Sequence, residues 1–105
     1  MRKYNKLVRD KIPEIIKSNN EIPIIKVLSD CDYKKELEKK LYEEYQEVIS
    51  ASGKDRIEEL ADMVEVIKYL AICENSSFEE VIEVGKIKSL KRGGFDDKIY
   101  LEEVR

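Results

Sequence analysis

A chain of 105 residues is one domain's worth, enough for a modest core and small enough that a partner subunit would help to bury it. Charged residues make up 41% of it while the net charge is only −3, a mixed field that offers no bulk case for a nucleic-acid or membrane partner. The absence of histidine excludes imidazole bases, His-ligated zinc and Ser-His or Cys-His triads. Carboxylates, lysines, arginines, tyrosines and metal ions are left to carry any chemistry. Cys31 and Cys73 are too few for a disulfide framework and lack metal-ligand spacing, which fits a reducing, cytoplasmic setting. No window approaches the roughly 18 apolar residues of a membrane span, and no apolar run follows the basic N-terminus, so an unprocessed chain off the membrane is expected.

The expected architecture is all-α, about four helices in a bundle with a small two-stranded β appendage. A short first helix is expected to start near Asp10 as its N-cap, to tolerate Pro13 in its first turn, to turn Ile12, Ile15 and Ile16 inward, and to end at Asn19-Asn20. Pro23 opens a different segment, in which Ile24, Ile25, Val27 and Leu28 are β-rich and too few for a helix. Residues 24–28 therefore read as a strand, with 98–102 as its pairing partner. A second helix runs from about Asp32 to Ala51 and stops at Ser52-Gly53. The run Asp55-Arg56-Ile57-Glu58 is a capping pattern opening a third helix that reaches Cys73. That helix is apolar over more than half its circumference, which makes it the central one. Ser77-Phe78-Glu79-Glu80 caps a fourth helix whose Phe78, Val81, Ile82 and Gly85 form one stripe and which ends at Gly93-Gly94.

Two acidic clusters sit on the second and third helices, Glu43-Glu44-Tyr45-Gln46-Glu47 and Glu59-Leu60-Ala61-Asp62. At 100° per residue, Glu44 projects between Leu37 and Ala51, inside the stripe formed with Leu41 and Val48. Glu47 borders that stripe and Glu43 points further away. On the third helix Glu59 falls between Val66 and Leu70, and Asp62 lies at the edge of the arc beside Val66, Tyr69 and Cys73. Glu58 and Glu65 project to the polar side. Acids are usually a solvated helix face, and the helix dipole accounts for Glu58 and Glu59 in a first turn. It does not account for Glu44 and Glu47, which lie in the second half of their helix. Carboxylates turned toward a core must be neutralised. Only Lys40 lies on the right side of the second helix, so a divalent cation is the more economical partner. An all-oxygen site without His or Cys favours Mg²⁺ or Mn²⁺ over Zn²⁺.

At these motifs, E-E-x-x-E at Glu43-Glu44-x-x-Glu47 and E-x-x-D at Glu59-x-x-Asp62, the sequence resembles the all-α nucleoside triphosphate pyrophosphohydrolases. That superfamily includes MazG, dimeric dUTPases and phosphoribosyl-ATP pyrophosphohydrolase. The run Tyr4-Asn5-Lys6-Leu7-Val8-Arg9-Asp10-Lys11-Ile12-Pro13 and the pattern Lys88-x-x-x-Arg92-Gly93-Gly94-Phe95 look like a small single-domain MazG-like branch, so the resemblance spans nearly the whole chain. It implies that Glu44, Glu47, Glu59 and Asp62 are Mg²⁺ ligands, with Mn²⁺ a possible substitute. The implied reaction is hydrolysis between the α- and β-phosphates of a nucleoside triphosphate or related nucleotide, giving a monophosphate and pyrophosphate, in a housecleaning role toward noncanonical nucleotides. Glu43, an acid near the ligands, or Glu47 is implied as the catalytic carboxylate that orients or deprotonates water. Relatives with one copy of the motif set assemble as homodimers or homotetramers, with which the apolar circumference of the third helix agrees.

The flanking motifs supply cations for phosphate oxygens: Lys6, Arg9 and Lys11 before the first helix, Lys88 and Arg92 at the end of the fourth. Ordinary surface charge is the alternative, and for Lys88 and Arg92 the helix dipole as well. Tyr4 and Phe95 are candidates either for stacking on a base or for core packing. A reading from a different class is a non-catalytic helical module that binds nucleotide or metal for regulation, or dimerises, with its acids tied up in salt bridges.

Overall fold

Four helices follow one another in the order α1 (Ile12–Ser18), α2 (Asp30–Ser50), α3 (Gly53–Cys73) and α4 (Phe78–Arg92) in a computed structural model describing residues 2–105. The α2–α3 hairpin is the frame. Only Ala51 and Ser52 separate the two helices, which run antiparallel and pack along one another. Arg56 secures the turn by reaching back from α3, its Nε donating to the carbonyls of Val48 at 3.1 Å and Ala51 at 2.9 Å. Both carbonyls lie at the C-terminus of α2, where intrahelical partners run out, and that of Val48 also accepts from the Ala51 N–H at 3.4 Å. Gly53 takes a positive φ of 57° at the first residue of α3, a conformation that costs a side-chain-bearing residue more.

The caps explain where the helices begin. Ser29 accepts from the Asp32 N–H at 3.2 Å, and Asp30 and Asp32 fall in the first turn of α2. The helix thus starts two residues earlier than its apolar periodicity indicates, because the serine supplies the missing acceptor. Ser77 likewise accepts from the Glu80 N–H at 3.1 Å, and α4 ends at Gly93 with φ +83°. Asp55 is not a cap. It lies inside the first turn of α3, behind Ser52 at the N-cap. At α1, Lys11 rather than Asp10 holds the N-cap position, without a side-chain cap, while Pro13 sits in the first turn. Ile12 and Ile16 are half-buried, but Ile15 is exposed, since seven residues give too few turns to cover three isoleucines at once.

The expected β appendage is absent: residues 24–28 and 98–102 form no strand among the described residues. Ile24 and Val27 are more than nine-tenths exposed, and Ile99, Tyr100 and Leu101 are also out in solvent. A lone two-stranded ribbon is marginal unless something packs on its apolar face, and nothing here does.

The core lies between α2 and α3, where Leu37, Val66 and Ala71 are the buried hydrophobic residues among those described. α4 touches α3 alone among the helices. The result is elongated, 61 × 33 × 25 Å with a radius of gyration of 18.0 Å, where a compact chain of this length has about 13 Å. No helix among the described residues is long and apolar enough to cross a membrane.

Candidate functional site

The short hairpin turn brings the acids face to face. Glu44 stands seven residues before Ala51 and Glu59 seven after Ser52, about two helical turns from the bend on each side. One carboxylate oxygen each from Glu44, Glu59 and Asp62 lie within 4.8 Å of one another. Glu44 is the inner member, only 7% exposed, while Glu59 and Asp62 are half-buried. The projection of Glu44 and Glu59 toward the neighbouring helix, with Asp62 beside them, is what the angular argument required.

Glu47 departs from the expected four-ligand set. It is exposed and lies outside the group of three, since its position at the border of the α2 stripe leaves it on the open side of the hairpin. Its charge nevertheless acts on Glu59. Desolvation first, then the Glu47 and Asp62 charges, raise the Glu59 carboxyl above its ordinary range, against a hydrogen bond with Glu44 that lowers it. Glu44 is raised as well, by desolvation first and then by the Asp62 charge, with Lys40 opposing. Like charges confined together and partly removed from water each favour the neutral form of the other.

Cations surround the cluster. The Lys40 Nζ lies 3.8 Å from Glu44 and 3.6 Å from Glu43. Lys6, from the segment ahead of α1, donates to Glu43 at 3.3 Å. Arg9 divides its guanidinium between two residues of α3, donating to Asp62 at 2.8 Å and to Glu65 at 3.1 Å. The chain therefore supplies more neutralisation than Lys40 alone, and Lys6 and Arg9, expected at phosphate oxygens, already hold carboxylates. Glu65, assigned to the polar side, is a partner of Arg9. The signal for it was its spacing of three from Asp62, which puts both on one helix edge.

The remaining expected cations are not gathered. Lys11 is exposed, and Lys88 and Arg92 are exposed on α4, which does not touch α2; none of the three makes an ion pair among the described residues. Tyr4 is 62% and Phe95 99% exposed, so neither packs in a core within the chain. The Arg9 contacts are partly solvated, and pairs of that kind contribute about 0–1 kcal/mol and are screened by salt. Arg9→Met should accordingly lower stability by less than about 1 kcal/mol in urea denaturation at low salt, with the difference vanishing in concentrated NaCl. A larger loss that persists in salt would mean that Arg9 packs rather than pairs.

No family model matches the chain, and no solved structure does. An uncharacterized protein of Mycolicibacterium smegmatis is similar to it, 45% identical over 49 residues, which are 47% of this chain and 50% of that protein. The chain thus spans about half the length of the curated relative it matches.

Proposed function

We propose that the chain is a metal-dependent nucleotide pyrophosphohydrolase, cleaving a nucleoside triphosphate or related nucleotide between its α- and β-phosphates to a monophosphate and pyrophosphate. The observation that carries this reading is the convergence of Glu44, Glu59 and Asp62 within 4.8 Å. Three hard oxygen donors, one of them buried, suit Mg²⁺ or Mn²⁺ rather than a softer metal. Such an ion, held by these three residues, would offset phosphate charge and make a water more acidic. Glu47, exposed with its charge acting on Glu59, or Glu43, held by Lys6 and Lys40, would orient the water or accept its proton. Arg9 would give up Asp62 to the ion and keep Glu65, leaving part of its guanidinium for a phosphate oxygen. Lys11, with no carboxylate of its own, is a second cation for the substrate, and Tyr4 or Phe95 a surface on which a base could stack. Lys88 and Arg92, on α4, do not reach the acids within one chain. We further propose a cytoplasmic setting, removal of noncanonical nucleotides as the role, and a homo-oligomer, dimer or tetramer, as the working form.

A second reading has an observation of its own. Lys6, Arg9 and Lys40 already pair Glu43, Asp62 and, more distantly, Glu44, which is what a non-catalytic helical module with internal salt bridges requires. The experiment is incubation with a panel of nucleoside triphosphates in Mg²⁺ or Mn²⁺ while pyrophosphate release is followed, beside a melting curve with and without metal. Turnover of any member of the panel with pyrophosphate as product is the expected result. A metal-induced rise in melting temperature without turnover selects a binding module. No turnover and no shift leaves the salt-bridged module.

A further inference from the structure

We propose that α4 is the docking surface for a second copy of this chain, the two copies of the helix packing antiparallel about a point between Ile82 and Glu83, with Gly85 within one turn of it. The chain as a whole has area to spare for such a partner, in its irregular segments as well as on α4. The chain exposes 9837 Å², whereas a compact chain of 12.3 kDa exposes about 6,100 Å². The excess is larger than the roughly 1,600 Å² that a standard interface removes from two chains together.

The stripe Phe78, Val81, Ile82, Gly85 and Ser89 follows one face of α4 at helical spacing. Phe78, at its start, is half-buried and lines a small hollow together with Ala61 and Val64 of α3. Beyond it the stripe is uncovered, with Val81 40% and Ile82 44% exposed, and a shallow groove runs along Val81, Ile82, Gly85 and Ser89. Nothing lies within 4 Å of where a Gly85 side chain would begin. A glycine there costs helix stability relative to other residues and answers to no contact inside the chain. It leaves room for a second helix to cross closely.

Charge selects the occupant and its direction. α4 carries Glu79, Glu80 and Glu83 in its first half and Lys86, Lys88, Lys91 and Arg92 in its second. The helix dipole favours the acids of the first turn and the bases of the last, but it does not explain Glu83 or Lys86 in the middle. Glu79 and Lys86 are one heptad apart on the same edge of the stripe, and neither makes an ion pair among the described residues. In an antiparallel pair, equal edges meet. Glu79 of each copy then stands opposite Lys86 of the other, twice over by the two-fold symmetry. A parallel pair would not bring them together. The helix is thus complementary to itself reversed, which gives the homo-oligomer proposed above a surface and requires no nucleotide chemistry.

Sedimentation velocity of the full chain over a concentration series should give a species of twice 12.3 kDa. Gly85→Gln should weaken the pair about tenfold or more, the scale of losing a central contact, while helix content by circular dichroism holds or rises because glutamine is the better helix former. Glu79→Lys and Lys86→Glu should each weaken the pair, and the double variant should recover most of the loss. A chain that stays monomeric at every concentration overturns the proposal, as it would if its own segment 95–105 covered the groove. So does a dimer indifferent to Gly85→Gln, or one in which the double charge swap adds the two losses instead of cancelling them.

Discussion

Glu44→Gln should melt higher than the parent protein at pH 7 and lose metal-dependent turnover altogether. The two effects have one cause. Glu44 is 7% exposed, its nearest cation stands at 3.8 Å, and desolvation together with the Asp62 charge holds its carboxyl above the ordinary range. A carboxyl whose pKa is higher in the folded than in the unfolded chain stabilises the fold while protonated. That stabilisation is complete below the unfolded pKa and is lost as the pH rises through the folded one. At neutral pH the charged group therefore weakens the fold, and Glu59, raised for similar reasons, adds in the same direction. Glutamine keeps the shape without the charge, and its amide can donate to Glu59 or Asp62. The expected gain is on the order of 1 kcal/mol, or about 4–8 °C in melting temperature for a chain of this size. It should shrink as the pH falls toward the ordinary carboxylate range, where the parent Glu44 takes up its own proton. Melting curves of both proteins between pH 4 and pH 8 test this. If the variant melts lower at pH 7, the Glu44 charge is a needed partner of Lys40 rather than a cost. If it turns over nucleotide as fast as the parent, the metal assignment is wrong.

How far the sequence could be read follows from which interactions are periodic. Glu44, Glu59 and Asp62 were separable from Glu43 and Glu58 because facing on a helix is set by residue spacing, and the two-residue turn aligned the faces. Glu47 shows the limit of that arithmetic: a border position can fall to either side, and the packing of one helix against another decides it. The pairing of Arg9 with Asp62 and Glu65 lies beyond periodicity, because it depends on where an irregular segment fifty-odd residues away in sequence is laid across α3. The strands at 24–28 and 98–102 failed for the opposite reason. Their composition favours extended structure, but β-propensity expresses packing on a half-buried surface, and this chain offers those residues none. The same shortage of cover leaves Val81 and Ile82 exposed, since α4 packs against α3 alone among the helices.

Leu37→Ala should be the most damaging apolar truncation, costing about 2–4 kcal/mol of a stability that for this length is on the order of 5–15 kcal/mol. Leu37 is 3% exposed and is the most buried residue of a core that otherwise comprises Val66 and Ala71. It lies on the face of α2 that carries Glu44, seven residues away along the helix. The α2–α3 contact must also withstand the mutual repulsion of Glu44, Glu59 and Asp62 a short distance along the same seam. Removing the leucine side chain opens a cavity where few neighbours are available to fill it, and leaves the hairpin less able to hold the acids together. Ile99 provides the comparison, since at 84% exposed and outside the helices it should lose under about 0.5 kcal/mol on truncation, as surface positions do. Urea denaturation should show the Leu37→Ala midpoint falling with its slope unchanged, and the Ile99→Ala midpoint close to the parent's. Equal losses at the two sites would mean that the core is not where α2 meets α3, and the convergence of the three carboxylates would lose its structural support.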